Sequence, residues 1–492
     1  MLWLALLLAY FLYFYQLGAT GLVGPDEPRY ASVGRQMATS GDWVTPRLWG
    51  EPWFEKPALL YWMMAAGFRA GLGPEWAARL PVAVLALLFL GFYWWLLRKE
   101  FGCSAAWLAT LILSTSTGWV AYSQIGVTDL PLTAAFSAAM LLALPWIGKG
   151  DARWLPLASA LLGMAVLAKG LVPLVLALPL FGIAVVRGRW RDLLRWRVIV
   201  PFFAVALPWY ALCYARNGWA FLDVFFWQQT IARFYSGALQ HGQPWWFYLP
   251  VFLAGLLPWT PLAVLLARRG QWHDLRRVFL LAWLLFGLVF FSAASNKLPG
   301  YVLPLVPAAA ALIGIELAEL EDVRPWLAIS GLLLVSYPIA ARMLPIAVAE
   351  GLSRAPKAAV GWAGLLPVAV AVFLFLAPFR RKPLAAAAVL AACATAGIVY
   401  LKVAALPEVN RLASARQLWS GIAARAADVC VEDIHRDWRY GLNFYSAIPL
   451  PDCANNPKPL AVRQPTGEPP YVAPVDPSLS PVVLSPFRNQ NR

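Results

Sequence analysis

The chain has 492 residues, of which 61% are hydrophobic and only 13% charged, with 26 Trp, 40 Pro and a mean hydropathy of +0.62. Soluble globular domains carry about a quarter charged residues, so a soluble fold is excluded and a polytopic helical membrane protein is expected. The net charge of +15 does not signal nucleic-acid binding, because Lys and Arg cluster at the ends of apolar runs instead of forming an extended basic face.

The opening MLWLALLLAYFLYFYQLG has no positive leading segment and no small-residue cleavage site close behind it, so it reads as a retained first span. Apolar runs then predict helices near 1–21, 78–97, 104–122, 129–147, 154–168, 171–186, 198–214, 247–266, 278–293, 300–318, 325–344, 360–379 and 384–403, thirteen spans in all. Alternating ten-residue strands are absent, which argues against a barrel.

Between the first two spans lies a segment, 22–77, unlike the rest. Its stretch from Gly24 to Tyr61 carries Asp26, Glu27, Arg29, Arg35, Asp42, Arg47, Glu51, Glu55 and Lys56. Residues 58–73 are too short to span comfortably and read as a helix in or dipping into the interface. Basic clusters at Arg98 and Lys99, Lys149 and Arg153, Arg187 to Arg197, Arg268 to Arg277, Arg324, and Arg380 to Lys382 all fall on one side if the N-terminus is inside. The positive-inside rule makes that side cytoplasmic. The charged segment and the tail then face out.

After residue 403 the composition changes. A predicted helix, EVNRLASARQLWSGIAARAA, leads to the alternating run DVCVEDI and a Pro-rich end. The expected division is therefore a membrane domain, 1–403, and a small external α/β domain with a flexible tail, 404–492. Cys103, Cys213 and Cys393 sit in apolar segments and read as buried thiols. Cys430 and Cys453 lie in the tail, where a disulfide is open to them if it faces an oxidising compartment.

Asp26 and Glu27 leave the first span on a stiff Gly-Pro turn, and such a pair can act as general base, metal ligand or solvated charge. Arg29 is one turn away, and Glu55-Lys56-Pro57 returns the chain to the membrane with another acid and base. Mixed charges at both ends suggest a pocket for an anion, whereas Asp42 and Arg47 in the middle read as a solvated connector. Asp129 opens an apolar span, as helix cap, as site carboxylate or as both. Lys169 is the only charge between Trp154 and Val186, and such a group is functional by default unless it snorkels at a turn. Lys297 and Arg233 complete a set of cations on the same side. That set suits a membrane-embedded phosphate that must be neutralised in a partly dry site. His241 reads as a metal ligand or as an interfacial polar group. No phosphate-cradling Gly-rich loop, dinucleotide fingerprint or zinc signature appears, so a nucleotide donor is unsupported.

The stretch GPDEPRYASVGRQMATSGDWVTPRLWGEPWFEKPALLYW, with GVTDLPLT, the LAKG turn, RFYSG followed by QPWWFYLP, and SNKLPGYVLPLVPA, resembles the lipid-linked-sugar glycosyltransferases. The similarity is to the branch related to the aminoarabinose transferase of lipid A and to protein O-mannosyltransferases. It covers roughly residues 1–310. It implies a GT-C membrane fold and an inverting transferase that takes its sugar from a polyprenyl (undecaprenyl) phosphate carrier. The acceptor would be lipid A, a related glycolipid or a protein, and the enzyme a monomer among membrane lipids. The resemblance makes Asp26 the main catalytic carboxylate and Asp129 a second acid. Arg29, Lys56 and Lys169 would contact the carrier phosphate, with Arg233 and Lys297 beside them. Glu27, Tyr30, Glu55 and Tyr301 would support the sugar or the loop. A divalent metal ion is implied at Glu55 and His241, but WQQTIARF stands where the family often has His. Two other classes compete. A transporter or flippase of lipid-linked sugars would place its charges near the midplane on broken, repeated helices, and a scaffold would leave the charged segment without a task.

Overall fold

The computed structural model describes residues 2–225, 227, 242–268, 274–356, 361, 364–465 and 467–475. Over these, each predicted apolar run falls on helical structure. Eight helices are long and apolar enough to cross a membrane. A ninth crossing is broken: Trp245–Gly255 and Thr260–Ala267 meet at a bend of 115°. Cys103–Thr115, Val172–Val186 and Leu365–Leu376 are apolar but shorter. Length and composition alone thus support eight or nine of the thirteen expected spans among the described residues. Two of the others are interrupted. The run near 104–122 divides at Ser116, and the run near 171–186 divides at Ala177 ahead of Pro179.

Asp129–Lys149 is buried on all sides and Pro299–Glu319 almost so. Their small-residue sequences, TAAFSAAM and PAAAALIG, permit the close helix approach on which packing in lipid depends. Trp196–Asn217 instead exposes Val200, Phe203, Leu207 and Leu212, as a lipid-facing helix does. The basic clusters gather at one end of the bundle. Arg276 pairs with Glu100, Arg277 with Glu316 and Glu319, and Arg189 donates to the Gly150 carbonyl.

The opposite end carries the charged segment, which is not a loop. Asp26–Ser40 is a helix with two acids in its first turn and Gly41 at φ 73° just past its end, the usual termination. A two-residue hairpin pairs Arg47 with Pro52 and Leu48 with Glu51. The interfacial helix expected at 58–73 is Leu59–Arg69. Asp42, read as solvated, pairs with Arg216 at 2.7 Å, while Arg47 is half-buried and donates to the Gly50 carbonyl.

One buried ion pair organises this end. The Glu27 and Arg79 side chains are each 3% exposed. Arg79 donates Nε and Nη2 to the two Glu27 oxygens at 2.7 and 2.8 Å. Its remaining protons go to the carbonyls of Leu17, Thr20 and Gly21. Glu27 also accepts from Val23 N and Gly126 N. Gly126 suits that place because a Cβ would come within 2.9 Å of the Ala78 backbone oxygen. Lys402, in the last helix, donates to the carbonyls of Phe11, Leu12 and Tyr15 and so ties the first span to the last.

That last helix, Pro383–Ala413, runs past the boundary expected at 403. The C-terminal domain beyond it has a three-stranded sheet. Val429–Val431 pairs in parallel with Leu460–Arg463, which pairs antiparallel with Tyr471–Pro474. A helix, Arg436–Ser446, also belongs to it. Cys430 and Cys453 are disulfide-bonded. Cys213 is buried as expected, but Cys103 is exposed at a helix start.

Replacing Arg79 by Met leaves Glu27 buried without a counter-charge, a defect that costs about 3–5 kcal/mol. The expected outcome is a clearly lowered Tm of the detergent-solubilised protein, and an unchanged Tm would remove the pair from this organising place.

Candidate active site

Helical spacing decides what the first turn of Asp26–Ser40 can do. Glu27 turns inward to Arg79, while Asp26 and Arg29, three apart, share the neighbouring face. Arg29 Nη2 lies 2.5 Å from Asp26 Oδ1 and 2.9 Å from Glu55 Oε2, and Lys56 Nζ lies 3.2 Å from Glu55 Oε1. The two ends of the charged stretch thus close on each other. Arg29 and Glu55 are 13% and 7% exposed, but Asp26 is 43% exposed. Asp26 is therefore the carboxylate of this group most open to a reactant.

Aromatic rings surround Arg29. Its Cζ is 5.5 Å from the ring centres of Tyr30 and Trp53 and 5.4 Å from that of Tyr440. Tyr30 packs edge-on against Tyr61 at 5.9 Å. Burial first, then the field of Glu55, raises both phenols well above their ordinary pKa, so both remain protonated donors. Arg29 Nε, Trp49 Nε1, Trp53 Nε1 and Tyr61 OH are buried without a hydrogen-bond acceptor. Unpaired buried donors are rare and costly, and a group of them around a guanidinium fits an anionic, oxygen-rich ligand.

A second charged group lies on the bundle helices. Lys169 Nζ is 2.7 Å from Asp129 Oδ1, both 14% exposed, and sits 4.6 Å from the Tyr301 ring centre. Thr128 holds the cap position and Asp129 is the first helical residue, with its side chain turned to Lys169 rather than back to the helix. Gly300 is required by this arrangement because a Cβ there would collide with the Asp129 carboxylate. Phe54, beside Glu55, and Leu167, near Lys169, belong to one buried apolar cluster with Phe221, which ties both charged groups to a common wall.

Lys297 is buried, and its ammonium donates to the carbonyls of Ala294 and Gln243. Arg233 and His241 lie outside the described residues. Among the described residues no three His, Cys, Asp or Glu side chains converge, and Glu55 faces two cations. These donors do not fit a divalent ion.

Sequence reading missed Arg79, Tyr61, Trp49, Trp53 and Tyr440. Arg79 had a signal, since it is an isolated charge inside an apolar span. Tyr440 had one too: Asp437, Tyr440, Gly441 and Phe444 repeat at helical spacing.

A family model described as dolichyl-phosphate-mannose-protein mannosyltransferase matches residues 55–214. An undecaprenyl phosphate-alpha-4-amino-4-deoxy-L-arabinose arabinosyl transferase of Pseudomonas aeruginosa (strain UCBPP-PA14) is 36% identical over 337 residues, 64% of this chain. A second enzyme so named, of Pseudomonas fluorescens (strain Pf0-1), is 35% identical over 360 residues, 67% of this chain. The matched stretch spans 60% and 62% of those two relatives. Among solved structures, ArnT from Cupriavidus metallidurans is 27% identical and aligns over 94% of this chain and 93% of its own. The TM-score is 0.75 for its apo state and 0.73 for its complex with undecaprenyl phosphate. The chain thus shares the GT-C membrane fold of ArnT, and about two thirds of it is similar in sequence to these transferases.

A double-mutant cycle on Asp129→Asn and Lys169→Met is expected to return a coupling of about 0.5–3 kcal/mol in thermal unfolding. Strict additivity of the two changes would show that the pair is not energetically joined.

Proposed function

We propose that this protein is an inverting glycosyltransferase. It moves a sugar from a polyprenyl phosphate carrier to lipid A or a related envelope acceptor at the periplasmic face of the inner membrane. The observation that carries this reading is the group of unpaired buried donors around Arg29 beside an accessible Asp26. The names of the relatives, which specify an undecaprenyl phosphate aminoarabinose donor, and the ArnT complex with undecaprenyl phosphate support it.

In the proposed reaction an acceptor oxygen attacks C1 of the sugar from the face opposite the carrier. The new C1–O bond forms as the bond from C1 to the carrier phosphate oxygen breaks, and the electron pair leaves with the phosphate. Arg29, Lys56 and Lys169 neutralise that anion. Each is held by a carboxylate at rest, so the incoming phosphate competes with Asp26, Glu55 and Asp129 for cations already aimed at the site, which avoids reorganisation at the moment of bond cleavage. If the acceptor is a hydroxyl, Asp26 takes its proton. If it is a phosphate oxygen, no proton moves and Asp26 orients the sugar or stabilises positive charge developing at C1.

A transporter of lipid-linked sugars is favoured by one observation, the bent pair Trp245–Gly255 and Thr260–Ala267, since transporters build sites on broken helices. Purified protein given polyprenyl phosphate sugar and a lipid A acceptor is expected to release free polyprenyl phosphate. Movement of intact donor across sealed vesicles without bond cleavage would support the transporter instead. Asp26→Asn is expected to lower transfer by about two to four orders of magnitude with carrier-lipid binding retained. Near-normal turnover of that variant would displace Asp26 from the centre of the reaction.

A further inference from the structure

The C-terminal domain does not hang free of the charged segment. Its helix Arg436–Ser446 lies along the helix Asp26–Ser40. Arg35 Nη2 donates to the Phe444 carbonyl at 2.5 Å and stacks over the Phe444 ring at 4.6 Å. The Tyr445 hydroxyl accepts from Leu22 N at 3.0 Å and donates to Glu75 at 2.8 Å. Arg416 Nη1 reaches the Gly18 carbonyl at 3.0 Å. These contacts fix the rotation of the C-terminal helix about its axis, and with it the face that Asp437, Tyr440 and Phe444 share.

On that face the Tyr440 ring lies 5.4 Å from the Arg29 Cζ and is also stacked on Trp49, at 5.6 Å with the planes 28° apart. Tyr30 and Trp53 flank the same guanidinium from the charged segment itself. Tyr440 is the flanking ring that comes from the C-terminal domain. One turn earlier, Asp437 is close enough to Asp26 that, after burial, the Asp26 field helps to raise its pKa against the opposing pull of His435 and Arg436.

We propose that Tyr440 is a positioning residue of the transferase site: its ring face, braced by Trp49, holds the Arg29 guanidinium where it meets the carrier phosphate. The C-terminal domain is then a wall of the donor site. The physical reason is that Arg29 has one open Nε and two carboxylate partners on its Nη2 side. It needs a surface that restrains its plane without consuming its donors. A ring face does this, because a cation over an aromatic ring is stabilised by the quadrupole and keeps its N–H groups free for an anion.

This inference rests on the carrier-phosphate reading, and binding and turnover test the two separately. Binding of undecaprenyl phosphate to the full-length protein in detergent is compared for wild type, Tyr440→Leu and Tyr440→Phe. The leucine keeps apolar volume without a ring, and the phenylalanine keeps the ring without the hydroxyl. The expected result is roughly tenfold weaker binding for Tyr440→Leu, with Tyr440→Phe near wild type and all three melting alike. In turnover, the KM for donor rises in Tyr440→Leu while the KM for acceptor stays put, a split that general loosening of the domain would not give. Equal binding by wild type and Tyr440→Leu overturns the inference, as does equal weakening in both variants. Binding that follows the expected order in a protein without turnover would uphold Tyr440 and sink the transferase reading.

Discussion

Everything at the functional end of this molecule hangs on a carboxylate and a guanidinium buried together. Glu27 and Arg79 bring four pieces of chain to one point: the exit of the first span, the start of the helix Asp26–Ser40, the helix Pro74–Phe101 and the turn at Gly126. A charge taken from water costs several kcal/mol unless its partner and hydrogen bonds replace the lost solvation. Here almost every polar atom of both groups has a partner. The geometry is correspondingly demanding, since few placements of those four segments satisfy five donors and two oxygens at once. Asp26, adjacent to Glu27, inherits that precision.

The second constraint is competition for cations. Arg29, Lys56 and Lys169 each sit against a carboxylate, so the resting site is close to neutral and tolerable in a poorly hydrated place. On the proposed reading an arriving phosphate exchanges one anion for another around cations whose positions are set, without recruiting charge from solvent. The small residues that bring Asp129–Lys149 and Pro299–Glu319 together, and the glycine that lets backbone pass Asp129, serve the same end by keeping the Lys169 side of the site narrow.

Much of this was legible in the sequence, and the reasons differ by residue. Asp26, Arg29, Glu55 and Lys56 stood out because charge is rare in the chain, and their convergence follows from a segment that must return to the membrane near where it left. Lys169 and Asp129 were visible as lone charges beside apolar runs, though nothing in their spacing showed that they pair. Arg79 was hidden by the strength of the apolar signal around it. The helix Asp26–Ser40 was hidden by its charge, which reads as loop, although Pro28, two acids in the first turn and Gly41 mark its limits. Tyr440 could be placed on a helix face by its spacing, but its partner could not be read locally, because that is set by how a C-terminal helix docks on the first one after the membrane. The number of spans was the least legible quantity, since length and hydropathy do not say where Pro and Gly divide a run.

Arg29 is made long before Tyr440. A nascent chain therefore carries Asp26 and the cations beside it well before the ring that lies over Arg29 exists. A chain truncated before residue 436 would keep every charged residue of the first segment and still lack the ring that lies over Arg29.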